Sequence, residues 1–303
     1  MIATVVRRAA AAVVVIFCVA TFAFFALHAA PGGPFDRERQ LSGEARRNVE
    51  RAYHLDQPVT AQYLGFLDGL VHGDLGWSMK RPQRVAAIIA EGLPASAELA
   101  AWALAFAVFF GVGLGVVAAA GRDGPLDHAT RAVALLGVSV PAFVIGPLLV
   151  DWVALRLDLV PAARWDTAAS RILPTLTLGL AYLGVIARLT RAGTVEAAQQ
   201  DFVRTARAKG LGEATVFFKH ALRPALLPVV SYLGPAAAGL VTGSIVVETI
   251  FQIPGLGAAL VQAATGRDYP VLCGILVFYC VVVVAANLIA DLAVAALDPR
   301  SRS

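Results

Sequence analysis

Six apolar stretches separated by polar segments lay out this 303-residue chain. They fall at Ala9–Ala30, Leu99–Gly121, Ala132–Val150, Ile172–Ala187, Ala225–Val247 and Pro270–Ala290. Each is continuous, without the period-two alternation of a barrel strand, so the pattern predicts membrane-crossing helices. Most are long enough to span about 30 Å of hydrocarbon at about 1.5 Å per residue. Ile172–Ala187 is short and must borrow flanking residues, with Arg188 snorkelling to the interface.

The polar segments are unequal. Arg7 and Arg8 precede the first stretch, and Ala30-Pro-Gly-Gly-Pro-Phe35 ends it. Between there and Pro94 the chain is amphipathic, with helices expected around Gly43–His54 and Val59–His72. Tyr53, Tyr63, Phe66, Leu67 and Trp77 favour a folded cap over a passive linker. A second polar island holds seven charges between Glu196 and Lys219. At roughly 2.5–3.5 kcal/mol per charge, burying it in a bilayer would cost on the order of 20 kcal/mol. It therefore lies outside the membrane, yet its composition is helical from Val195 to Lys209.

Within the island, Phe202, Ala206 and Gly210 are four apart and share one predicted face. Gly210 suits a left-handed C-terminal cap, and Arg207 and Lys209 complement the helix dipole. Glu213 opens a second helix, and Pro224 and Pro228 mark entry into the fifth stretch. The prediction is a helix–turn–helix elbow with a small-residue tip, thin enough to lie in another protein's groove.

Composition fits a membrane protein: 58% of residues are hydrophobic and 15% are charged. Lys and Arg counts set orientation once the long first polar loop, with eight of each sign, is set aside. That leaves 13 basic residues on one side and four on the other, so both termini are expected inside. The first stretch is longer than a signal-peptide core and is read as an uncleaved helix. Cys18, Cys273 and Cys280 have no paired spacing and are expected to be buried small apolar residues. Gly111-x-Gly113-x-Gly115 and Gly239-x-x-x-Gly243 are expected to permit close helix packing.

Chemistry is sparse. The three lysines, Lys80, Lys209 and Lys219, sit in no phosphate-binding loop, so the chain is expected to have no ATPase of its own. The five histidines have no metal-ligand spacing, and no metal or nucleic-acid site is expected. Glu248, Asn287 and Asp291 lie near ends of stretches, and Pro254 and Gly255 lie in an irregular loop at membrane depth. These five are the candidates for pathway or gating residues.

The elbow resembles the coupling segment of permease subunits of binding-protein-dependent ATP-binding cassette importers. Glu196-Ala197-Ala198 is a decoy for that family's motif, because Gly210 is too far from it. Counting back from Gly210 places the motif on Arg204-Thr205-Ala206, with Arg204 in place of the family glutamate. The sequence Arg-Thr-Ala-Arg-Ala-Lys-Gly-Leu at 204–211 resembles the peptide-permease branch. So do Leu55-Asp-Gln-Pro58, Gly73-Asp-Leu-Gly76, Glu248-Thr-Ile-Phe251, Pro254-Gly-Leu-Gly257, Arg267-Asp-Tyr-Pro270 and Asp298-Pro-Arg300. Ala30-Pro-x-x-Pro-Phe35 and His220 to Pro228 are most similar to its B-type oligopeptide subunits.

The resemblance implies an all-α polytopic membrane protein with six transmembrane helices, of the type I importer permease kind. Residues 1–30 form the N-terminal end and first helix, 31–94 an extracytoplasmic helical region, and 95–303 the core permease with a cytoplasmic coupling loop at 191–224. It implies a bacterial inner-membrane location and half of a translocation pathway for peptides, expected to be oligopeptides; dipeptide and nickel permeases share most motifs. The expected partners are a second homologous permease subunit, two ATPase subunits that bind ATP and Mg, a peptide-binding protein, and the lipid bilayer. Asp201, Arg204, Ala206, Arg207, Lys209, Gly210 and Leu211 are the expected ATPase-coupling residues. A secondary transporter is the alternative, but the charges cluster at span ends and no inverted repeat is evident.

Overall fold

The computed structural model describes residues 2–31, 51, 53, 55–121 and 123–297. The expected helix at Gly43–His54 and Asp298-Pro-Arg300 lie wholly or largely outside the described residues, as does most of Ala30–Phe35. The described residues are almost entirely helical: α1 (Ile2–Ala29), α2 (Val59–Val71), α3 (Val85–Ala120), α4 (Pro125–Ser139) and α5 (Ala142–Leu149) come first. A wider π-helical turn, Val150–Arg156, continues α5. Then follow α6 (Ile172–Ala198), α7 (Asp201–Ala208) and α8 (Glu213–Ala225, with π-helical turns inside it). The last four are α9 (Leu227–Gly243), α10 (Ile245–Phe251), α11 (Leu256–Gly266) and α12 (Tyr269–Leu297).

Every predicted apolar stretch lies on these helices. Among the described residues four spans are unbroken: Ala10–Ala29, Val85–Ala120, Ala169–Ala198 and Tyr269–Ala293. The third stretch is bent by 104° between α4 and α5, where Pro141 removes a backbone donor; the fifth runs from the last residue of α8 along α9 into α10, with a 45° bend between α8 and α9. The short fourth stretch is lengthened toward its C-terminus, since α6 runs on to Ala198, and Arg188 is exposed as expected. The helix α3 begins well before its apolar stretch and contains Pro94.

The chain divides into two compact units, Met1–Ser96 with Pro254–Val284, and Ala97–Ile253 with Ala285–Ser303. In the second unit α6 is the central helix, packed by α4, α5, α8, α9 and α10. Its contacts are close because glycines face backbone. A methyl group on Gly184 would lie 2.5 Å from the Ala134 carbonyl oxygen of α4, and one on Gly137 2.6 Å from that of Leu180. On α3, Gly111 and Gly115 face Leu183, Ile186, Ala187 and Thr190 of α6, while Gly113 faces open space. The spacing of four therefore marks the packed pair, with Gly113 outside it. In α9, Gly239 meets the Tyr182 hydroxyl and Gly243 meets nothing.

In the first unit α2 lies against α1, with Tyr63 and Thr21 sharing a 2.7 Å hydrogen bond and Phe66 stacked on Phe24 at 5.6 Å. The 73–76 segment is a turn with Gly73 and Gly76 at positive φ, closed by Gly76 N–H donating to Asp74 Oδ1 at 2.9 Å. Asp268 is buried and accepts from the Ser78 hydroxyl and from Met79 N–H at 3.1 Å. That contact gives the Arg267-Asp-Tyr-Pro270 segment its structural role. Cys273 is buried as expected, but Cys18 is exposed on α1. An apolar position facing lipid and one facing protein look the same in sequence.

Candidate functional site

The polar island folds as an elbow outside the long spans. The helix expected from Val195 to Lys209 is broken: α6 ends at Ala198, and Gln200 is extended with φ −73° and ψ 150° before α7 starts at Asp201. The break lets α7 fold back on its own stem. Ala197, Val203, Ala206, Val216, Ala221 and Ala225 form a small buried core joining the end of α6, α7 and α8. The buried face of α7 is therefore Val203 and Ala206, three apart, rather than Phe202, Ala206 and Gly210. Phe202 is turned outward, at 45% exposure.

Gly210 terminates α7 as the sequence predicts. Its φ is +79°, its N–H donates to the Arg207 carbonyl at 2.9 Å, and Leu211 N–H donates to the Ala206 carbonyl at 3.4 Å. This is the Schellman pairing. A side chain at Gly210 would meet no atom within 4 Å, so the demand for glycine is one of backbone conformation rather than space.

Across the turn, Arg207 grips Glu213 with Nε at 2.9 Å from Oε1 and Nη2 at 3.2 Å from Oε2. The guanidinium holds the Glu213 carboxyl below its ordinary value, and Glu213 in turn raises Arg207. Asp201 and Arg204 pair loosely at 3.6 Å. Arg204, Lys209, Gly210 and Leu211 all face solvent, Leu211 at 40%. Phe218 on α8 is also exposed. Ala206 alone among the seven expected coupling residues is buried, inside the elbow's own core.

The stem is braced by contacts that the sequence pattern does not announce. A Gly193 side chain on α6 would collide with the Ala225 carbonyl, so the two legs of the elbow touch through backbone. Two turns or so before the end of α6, Arg191 binds Asp127 of α4 through Nε–Oδ1 at 2.5 Å and Nη2–Oδ2 at 2.6 Å. Arg131 binds the same carboxylate at 3.0 and 2.5 Å, and Asp123 N–H donates to it at 3.0 Å. Asp127 is wholly buried. The spacing of Asp127 and Arg131, four apart on a helix, is a visible signal in the sequence; the third partner, Arg191, has none.

The five pathway candidates fall in both units, Glu248 on α10, Pro254 and Gly255 in the loop before α11, and Asn287 and Asp291 on α12. Glu248 of α10 is fully buried and accepts from the Ser244 hydroxyl at 2.6 Å. The irregular backbone expected near Pro254 is present: Gln252 takes a left-handed conformation with φ +53°, and α11 starts after Gly255. Gly255 is buried and Pro254 exposed, while Ser96 Oγ caps the start of α11 by accepting from Leu256 N–H at 2.8 Å. Asn287 is half-buried and Asp291 exposed on α12.

Residues 111–303 match the family model for the binding-protein-dependent transport system inner membrane component, and residues 1–100 match the N-terminal model of such membrane components. The dipeptide transport system permease protein DppB of Bacillus subtilis is 42% identical over 97% of this chain and 96% of its own length. The oligopeptide transport system permease protein OppB of Salmonella typhimurium is 41% identical over the full length of both. Among solved structures, an inward-facing form of the MetNI methionine transporter matches with a TM-score of 0.60 and 18% identity. That match covers 70% of this chain and 96% of the other. A chain of an amino acid ABC transporter matches at 0.55 with 17% identity, covering 69% of this chain and 93% of its own.

Proposed function

The chain belongs to the family of binding-protein-dependent transport system inner membrane components, and from that premise we propose that it is a permease subunit of an ATP-driven peptide importer. Its α6–α9 segment is the part that receives the work of ATP hydrolysis. The observation that carries this reading is the elbow itself: a pre-formed, polar-tipped turn, fixed by the Gly210 cap and the Arg207–Glu213 pair, that presents Phe202, Arg204, Lys209 and Leu211 away from its own core. A folded element with exposed apolar and basic side chains outside the bilayer fits a protein partner.

In this reading two ATPase subunits supply ATP and Mg chemistry, a second permease completes the pathway, and a binding protein delivers peptide. The elbow faces the cytoplasm of a bacterium and both chain termini lie on that side. Movement of α7 passes through the Ala197–Ala225 core into α6, and through Arg191 to Asp127 on α4, so that the bent α4–α5 pair moves with it. Ala206 acts here as a small spacer that lets α7 sit close to its stem.

The test is reconstitution of the four membrane and ATPase subunits in proteoliposomes with the binding protein outside, reading ATP-dependent uptake of labelled di- and oligopeptides. Uptake that requires this chain supports the proposal. Uptake driven by an ion gradient without ATP would replace it with a secondary transporter.

A further inference from the structure

Helix α2 carries three distinct faces. Gln62, Tyr63 and Phe66 point to α1: Tyr63 meets Thr21 at 2.7 Å, Gln62 meets His28 Nε2 at 3.2 Å, and Phe66 stacks on Phe24. Asp68 and His72, four apart with 3.6 Å between Oδ1 and Nδ1, form a polar edge exposed to solvent. The third face is apolar, and among the described residues its Leu64 and Val71 are left exposed while Leu67 is half-buried. Leu64 is 65% exposed and Val71 83%, with Leu67 between them at helical spacing.

The contacts with α1 fix where this face sits. The apolar run of α1 ends at Ala29. Thr21 is eight residues earlier, which places it roughly 12 Å inside that end at about 1.5 Å per residue. A side chain on α2 that reaches Thr21 must enter the bilayer, because Thr21 is within the spanning part of α1. Phe25 of α1, which packs on Tyr63 at 5.0 Å, is itself exposed, as is Phe22, so the lipid-facing surface of α1 borders α2. Asp68 prevents deep immersion, since an ionised carboxylate is expelled from hydrocarbon. A helix with one apolar face and one charged edge resolves both demands by lying in the plane of the interface.

We propose that α2 is an interfacial helix seated in the membrane at the Ala29 end of α1, with lipid acyl chains covering Leu64, Leu67 and Val71 and with Asp68 and His72 at the water side. The polar loop between the first two spans is thus anchored to the bilayer instead of standing free of it. This anchoring goes beyond the transport reading and does not depend on the cargo.

The test uses the assembled transporter in nanodiscs of phosphatidylethanolamine and phosphatidylglycerol. Cys18 and Cys280 are replaced by serine, buried Cys273 is kept, and spin labels are placed singly at L64C, V71C, D68C and H72C. Collisions with oxygen, which concentrates in lipid, are compared with those of a water-soluble nickel chelate. The expected result is a several-fold higher oxygen-to-nickel ratio at 64 and 71 than at 68 and 72. Equal nickel access at all four positions would overturn the proposal and return this face to water. Exclusion of both reagents at 64 and 71, or protection that appears only on adding the binding protein, would overturn it in favour of a protein partner.

Discussion

Arg191 holds both oxygens of the Asp127 carboxylate, at 2.5 and 2.6 Å, and so joins α6 to α4 just before α6 leads into the exposed elbow. The two residues are 64 positions apart. A buried carboxylate needs its cations, and a planar guanidinium meets both oxygens at once, which an ammonium cannot. Arg191→Lys is expected to lower the melting temperature of the purified permease by several degrees in a detergent thermal-shift assay. Arg131→Lys, altered at a more exposed partner of the same carboxylate, is expected to cost less. Equal losses for the two would contradict the geometry.

Gly210 is conformationally required but spatially free. Gly210→Ala therefore tests backbone conformation without a clash, and an L-residue held there costs about 1–2 kcal/mol. Peptide uptake and peptide-stimulated ATP hydrolysis are expected to fall together, while membrane insertion and expression stay unchanged. Full uptake by this variant would show that the cap does not matter for coupling.

Gly184 stands against the Ala134 backbone, so even Gly184→Ala pushes α6 away from α4. Overpacking of this kind costs about 1–3 kcal/mol. The expected outcome is a lower melting temperature, whereas Gly113→Ala, with nothing within 4 Å, should leave it unchanged.

Gln252 occupies the left-handed position after α10, where Ile253 N–H reaches the Glu248 carbonyl at 2.9 Å. Replacing it with glycine removes the Cβ strain, and a gain of about 1 kcal/mol is expected. Thermal unfolding of Gln252→Gly against the parent protein reads this directly.

The Arg207–Glu213 pair depends on pH in a defined direction. The Glu213 value is depressed in the folded chain, so its contribution is complete above the ordinary glutamate value of 4.5 and is lost as pH falls through the depressed one. Near neutrality the pair is intact, and ATPase coupling should show no titration from it. Glu213→Gln is expected to remove the acid-side change from a pH series of elbow mobility, read by a spin label at position 211.

Much of this arrangement is legible in the amino-acid sequence. The apolar stretches are readable because each approaches or exceeds the length a bilayer requires, and the Gly210 cap because glycine follows a basic last turn. The break at Gln199–Gln200 is not, since helical composition runs through it and the tertiary core around Val203 and Ala206 decides the fold-back. For the same reason Phe202, placed on the inner face by spacing alone, points outward. The Asp127–Arg191 pair is a long-range contact that local periodicity does not encode. The bend at Pro141 lies within apolar sequence, where hydropathy is silent about direction.

Docking of an ATPase on the exposed tip of the elbow can be read by site-specific crosslinking from Leu211. The L211C variant, with Cys18 and Cys280 replaced, is assembled with its ATPase subunits and treated with a short thiol-reactive photocrosslinker. The expected result is an adduct between this chain and an ATPase subunit, and none from a matched cysteine at Leu64 on α2. Adducts from position 64 with none from 211 would contradict it.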